Sequence, residues 1–422
     1  MRLAFRIVVL AMLLLTAGAR AADLDEAIRR EAERLQPALI EARRWFHQHP
    51  ELSNREVETG REIARRLTAL GLDVRTGVAR TGVVAVMRGG LPGGIAAWRA
   101  DIDALPITEQ VDVPFASASP GVMHACGHDI HITVGLGAAE VLSRLRERVS
   151  GTVVFIFQPA EEGAPAGEEG GAALMIAEGV LDEPRPQAIF GLHVMPTLRA
   201  GQVGWRSGSL MASSDALRIT VEGKAAHGSA PHEGIDAVYV ASQVVTALQS
   251  VVSREADSRR PAVVSIGSLH AGNRNNILAG EAVMEGTVRA LDHETRAQVL
   301  SAVERVVAGI CQAHRAACRV TFGRALPPTV NDPALALSSA AALRAALGEQ
   351  AVVEIEPIMA AEDFALLADR VPGFYFHLGV GNPERGWTSY LHTPAFQPDE
   401  AAITVGVRAA AAVLVGSNAR DR

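Results

Sequence analysis

From Asp25 to Leu70 apolar residues recur at helical spacing, interrupted only around Pro50, and Gly71 supplies a stop signal. The period then shortens. Val83 to Met87 and Ile95 to Ala100 read as strands, the second running directly into Asp101-Ile102-Asp103-Ala104-Leu105-Pro106. After a polar loop a helical pattern starts at His131 and continues to about Arg148. Thr152 to Phe157 is an uninterrupted apolar run, as a strand covered on both faces requires. It delivers Gln158-Pro159-Ala160-Glu161-Glu162 at its carboxyl end, and Ala188 to Leu192 is a second strand of the same kind. Strands alternating with helices of this length predict an α/β sheet sandwiched by helices, with the chemistry collected at strand ends.

From about Ser207 the rhythm changes to strand (Ala216 to Glu222), helix (Ile235 to Ser253), strands (Ala262 to His270, Glu281 to Ala290), helix (His293 to Ala313) and strand (Arg319 to Phe322). This β-α-β-β-α-β order is that of the ferredoxin-like α+β unit. After Pro327-Pro328 the α/β pattern returns, with a helix over Ala334 to Leu347, strands over Val352 to Pro357 and Phe374 to Gly379, and a final helix from Asp399. The expected organisation is a catalytic α/β domain over 22–206 and 325–422, interrupted by an inserted α+β domain over 207–324.

The first residues stand apart. Arg2 and Arg6 make a basic start, Ile7 to Ala17 an apolar run too short for a comfortable membrane span, and Ala19-Arg20-Ala21 an A-x-A cleavage signal. A signal peptide over 1–21 is expected, and with it a periplasmic or secreted location; an uncleaved anchor is the alternative. The remaining chain is 48% hydrophobic by overall composition, enough for two cores and against global disorder. The formal charge of −7 becomes −10 once Arg2, Arg6 and Arg20 are lost, which argues against nucleic acid or an anionic membrane as partner. Three cysteines make no disulfide framework. Cys311 and Cys318 straddle a helix end and a strand start, where they either pair or serve as two small buried hydrophobes, the second being the expectation.

The densest chemistry lies in His124-Ala125-Cys126-Gly127-His128-Asp129. Cysteine and histidine are ligands that borderline-soft divalent metals prefer, and Cys126-x-His128 in an extended segment would aim both side chains the same way. The alternative is a polar turn with one buried thiol. Glu161 and Glu162, adjacent residues leaving a strand, point in opposed directions, so one can bind metal while the other faces substrate; otherwise they belong to an acidic loop with Glu168 and Glu169. His193 closes another strand, and His392 sits in Tyr390-Leu391-His392-Thr393-Pro394. With Cys126, His128 and Glu162 they make five ligands, too many for one tetrahedral zinc and suited to two ions sharing a ligand. His227, between the first strand and helix of the inserted module, is either a turn residue or a group that stabilises an oxyanion. Asn276 and Arg289 offer a carbonyl-binding amide and a carboxylate-binding fork, or are ordinary surface residues.

The ordered motifs RADIDALPI, MHACGHD, FQPAEEG, GLHV, GKAAHGSAPH, HAGNRNN, EGTVR, AEDF and LHTPAF resemble those of the metal-dependent aminoacylase and carboxypeptidase family, metallopeptidase family 20. The subgroup most similar is that of bacterial hippurate hydrolases and plant auxin-amino-acid amidohydrolases, and the likeness runs from about Arg43 to the C-terminus. The resemblance implies a two-metal catalytic α/β domain and an inserted lid that often serves for dimerisation. It also implies metal ligands at Cys126, His128, Glu162, His193 and His392, a general base at Glu161 and a lid histidine at His227, which in dimeric relatives reaches the partner subunit's site. Asn276 and Arg289 carry over as substrate-binding residues. Wider relatives use a bridging aspartate and a histidine two residues before Asp101, where this chain has Cys126 and Arg99. That departure leaves Asp101 as an orienting group.

The expected activity is hydrolysis of the amide bond of an N-acyl amino acid, with a dipeptidase or carboxypeptidase, or a non-catalytic metal- or peptide-binding protein, as alternatives. Two divalent ions per subunit are expected, zinc or manganese ahead of cobalt or nickel, together with a small-molecule substrate and a homodimer formed through the lid. A zinc deaminase would need the H-x-E and P-C-x-x-C pairing, and a serine hydrolase a G-x-S-x-G elbow; the sequence has neither.

Overall fold

Pro50 ends the first helix as its missing N–H requires: the chain is helical over Arg2–Gln48 and again over Val57–Ala69. The structure, a computed structural model, describes the backbone of residues 2–418 and the side chains of 23–418. The signal peptide expected over 1–21 lies outside the residues whose side chains are described. No helix among the described residues is long and apolar enough to cross a membrane.

The chain divides into two compact units, Met1–Gly208 with Asn331–Ile355 and Leu367–Arg422, and Ser209–Val330 with Glu356–Leu366. The first is built on an eight-stranded sheet in the order Asp73–Val78, Gly82–Arg88, Ser150–Gln158, Leu91–Asp101, Ala188–Arg199, Gly373–Gly381, Val203–Trp205, Val352–Glu354. Its four middle strands run parallel. Gly373–Gly381 is buried along its whole length, which fits a sheet covered on both faces. Register places Asp101 beside Gln158 and Arg99 beside Gly191, so the carboxyl ends of three parallel strands bring Asp101, the Glu161 loop and His193 to one level. Helices His128–Arg144 and Ala402–Asn418 pack on Leu91–Asp101 and on each other, with Arg2–Gln48 against both.

The second unit is α+β. A four-stranded antiparallel sheet, in the order Ala262–Ala271, Glu281–Ala290, Ser214–Glu222, Ala317–Leu326, carries helices Ala237–Ser250 and His293–Ala313 in the β-α-β-β-α-β sequence. Its separate core is made of residues such as Ile219, Val244, Met284 and Val303. Two features differ from expectation. Cys311 and Cys318 form a disulfide, with Cα atoms 6.1 Å apart, because the helix end and the strand start bring them face to face; they are not merely two buried thiols. The expected strand Val352 to Pro357 stops at Glu354, and 356–366 pairs with the second unit, where Ala212 N–H donates to Ile358 O and Ala360 O at 3.1 and 2.8 Å.

Candidate metal centre

Cys126, His128, Glu162, His193 and His392 come from four segments of the first unit. Cys126 and His128 flank Gly127, whose φ of 85° is left-handed and whose position excludes a side chain: a Cβ would lie 2.4 Å from Val194 Cγ2. The expectation of an extended Cys126-x-His128 segment is corrected by this turn, which lets His128 open the helix His128–Arg144 while Cys126 stays in the preceding loop. Ala160 (φ 55°) redirects the chain into Glu161 and Glu162, and His392 has φ 60° with its N–H held by Ala125 O at 2.9 Å. Two non-glycine residues in the left-handed region at one site are the kind of backbone cost that collects at functional positions.

Cys126 is central. Its Sγ lies 3.3 Å from His193 Nε2 and 3.1 Å from His392 Nε2, and the latter nitrogen is 3.1 Å from Glu162 Oε1. The ligand atoms fall into two groups, Cys126-His128-His193 and Cys126-Glu162-His392, each contained within 4.8 Å and sharing the thiol. Atoms bound at ~2.0–2.3 Å to one tetrahedral ion stand about 3–4 Å apart, so both groups have the dimensions of a divalent metal position. The imidazoles are oriented for it. His128 Nδ1–H donates to Asp103 O at 2.8 Å and His193 Nδ1–H to Val194 O at 2.7 Å, turning each Nε2 inward. His128 Nε2 is buried without a hydrogen-bond partner. Asp103 Oδ2 accepts from Ser53 Oγ at 2.7 Å and from the Glu162 N–H at 3.0 Å, so this residue sets one ligand's ring and another's backbone.

The electrostatics ask for a cation. Burial, then the charges of Glu162 and Glu161, push the Cys126 thiol well above its usual range. Burial opposes charge on His128, yet the Asp101 and Asp103 carboxylates raise it to about 10. A divalent ion replaces that proton and balances the acidic groups. Glu161 is buried, with a carboxylate oxygen in a group with His128 and Glu162 whose atoms lie within 4.8 Å of one another. That places a proton acceptor beside the ligands.

Residues 97–415 match the model of the peptidase family M20/M25/M40. This chain belongs to that family. The family member described as thermostable carboxypeptidase 2 of Saccharolobus solfataricus is 38% identical over 93% of this chain and 98% of its own length. The N-acetylcysteine deacetylase of Bacillus subtilis is 42% identical over 87% of this chain and 93% of its own. The crystal structure of a dinuclear metal binding peptidase of family M20 from Bacillus subtilis, 38% identical, covers 91% of this chain and 98% of its own with a TM-score of 0.79. As an M20 protein the chain is a metal-dependent amidohydrolase or peptidase that hydrolyses amide bonds.

Three further candidates lie on the second unit. His227 is exposed at the short strand Ala226–His227, opposite Ile277; its Nδ1 accepts from Ser229 N–H at 3.1 Å, leaving Nε2–H as a donor. Gly228 N–H donates to Asn276 O at 2.8 Å, so His227 and Asn276 lie at one short antiparallel pairing. Arg289, on Glu281–Ala290, gives one Nη1 hydrogen bond to Met359 O at 3.1 Å. Sequence reasoning missed Asp103 and His131 as parts of this M20 site. Asp103 carries a signal in its place two residues past Asp101 at a strand end, and His131 in its i, i+3 spacing from His128.

Proposed function

We propose that this protein hydrolyses N-acyl amino acids of the hippurate type to a carboxylic acid and a free amino acid. The observation that carries the reading is a buried carboxylate, Glu161, beside a two-group ligand set that shares Cys126. Divalent ions held by Cys126, His128, Glu162, His193 and His392 would supply a Lewis acid that polarises the carbonyl and acidifies water. Glu161 then takes the proton of the attacking water and returns it to the leaving nitrogen, a role its burial protects from bulk solvent. His227 Nε2–H is assigned to the developing oxyanion, Asn276 to the substrate carbonyl and Arg289 to the carboxylate of the leaving amino acid. The deacetylase relative supports an acylated amino acid; the carboxypeptidase relative supports a second reading, cleavage of short peptides.

Release of amine from N-benzoyl, N-acetyl and indole-acetyl amino acids and from dipeptides, with protein reconstituted separately with zinc, manganese, cobalt and nickel, decides between them. Cleavage of the acylated set alone supports the first reading, cleavage confined to dipeptides the second, and silence despite metal uptake sinks both. A periplasmic or secreted location is part of the proposal, supported by the leader pattern and by the Cys311–Cys318 disulfide. So is a homodimer through the second unit, where Ala262–Ala271 ends the sheet and carries no acidic, lysine or arginine side chain to deter pairing with a second copy. Light scattering on the purified protein tests it, and a monomer at micromolar concentration overturns it.

A further inference from the structure

We infer that His131 is a positioning residue for one of the two metal positions, the one framed by Cys126, His128 and His193. The inference rests on the two-metal reading above. His131 follows His128 by one helical turn, and the rings stack with centroids 5.2 Å apart at 29°. The same ring meets His193 edge-on, at 4.8 Å and 75°. His131 therefore packs against both imidazoles of that position.

Its hydrogen bonds define its tautomer. Nε2 accepts the Val194 N–H at 2.9 Å, so that nitrogen carries no proton. Nδ1 carries it instead and donates to Asp101 Oδ1 at 2.5 Å. Asp101 Oδ2 accepts from Arg99 Nη1 at 2.6 Å, and Arg99 Nε donates to Gln158 Oε1 at 2.9 Å, all of these groups being buried. Val194, held through its N–H by His131, offers its own carbonyl to His193 Nδ1–H. A continuous chain thus runs from the Arg99 guanidinium through Asp101 and His131 to the Val194 backbone, and ends on the ring of a ligand. Arg99 is the cation that keeps Asp101 an acceptor. Partners of this kind are worth about 10–100-fold in metal affinity.

The test is stepwise cobalt(II) binding to the chelated full-length protein, followed by visible absorption and by metal content per chain. Wild type is expected to take up two ions. His131→Ala is expected to weaken one step about 10–100-fold while the other, with its thiolate-to-cobalt band, is retained. Asp101→Asn tests the chain without removing the ring: its amide oxygen satisfies Arg99 and its NH₂ faces His131 Nδ1, forcing the proton onto Nε2 against the Val194 N–H. The same selective loss is expected. His131→Gln, whose carbonyl can reach the Val194 N–H, is expected to recover most of it. Variants that bind both ions as wild type does, or that lose both steps equally, overturn the inference alone. Wild type that takes up fewer than two ions overturns the two-metal reading and this inference with it.

Discussion

The backbone N–H of Ala160 donates to Glu56 Oε1 at 2.9 Å, while Thr81 Oγ1 donates to Oε2 at 2.6 Å. Glu56 thereby holds the left-handed residue that turns the chain into Glu161. Burial, and next the charge of Asp103, push this carboxyl up to about 7. A raised carboxyl binds its proton in the folded state where the unfolded chain, near 4.5, has lost it. Stability from this group is full below the unfolded value, falls as pH rises from there to about 7 and is flat above. Glu56→Gln should match wild type near pH 4 and exceed it above pH 7 by on the order of 2–4 kcal/mol. Urea unfolding of the chelated protein across that range checks the sign; a gap that does not grow with pH refutes it.

Because Cys126 belongs to both ligand groups, its loss differs from that of any histidine. Cys126→Ala is expected to abolish uptake of both ions, whereas His193→Ala removes one. Elemental analysis of dialysed protein gives the ratio directly.

Glu161→Gln keeps the volume and the ligand set but removes the base. Turnover should drop by at least ~10²–10⁴-fold with metal content unchanged. Near-normal turnover would sink the assignment of Glu161.

The disulfide closes a short loop, with a sequence separation of 7. Cys311→Ser with Cys318→Ser should cost about 2–3 kcal/mol of stability by the chain-entropy estimate. The loss should be confined to the second unit, which has its own core. Hydrogen exchange resolved along the sequence reads this as faster exchange in helix His293–Ala313 without change in helix His128–Arg144.

The elements that sequence reveals are those with an unmixed period. Val153 to Phe157 has no polar residue to confuse the assignment, and Glu161 and Glu162 are chemically distinctive residues just past the carboxyl end of that strand. Asp73–Val78 was illegible because an edge strand, mostly exposed, needs no apolar run. The convergence of Cys126 and His128 depends on the backbone of Gly127, which no side-chain pattern displays. Asp103 and His131 act on partners far away in sequence, Glu162 at 3.0 Å and Val194 at 2.9 Å, and only folding brings these together. The excursion of 356–366 into the second unit is likewise set by main-chain hydrogen bonds to Leu210 and Ala212, which any sequence could make.

The pairing of Cys311 with Cys318 also decides the fate of the third cysteine. Under oxidising conditions three thiols allow three competing bridges, two of which would consume Cys126. Each doubling of loop length adds about 0.6 kcal/mol to closure, and the bridges to Cys126 span loops longer by about four to five doublings. The local bridge therefore closes first by roughly 3 kcal/mol of chain entropy, and leaves Cys126 the free, buried thiol. The bridge in this way withholds the two sulfurs that would otherwise compete with metal for the third.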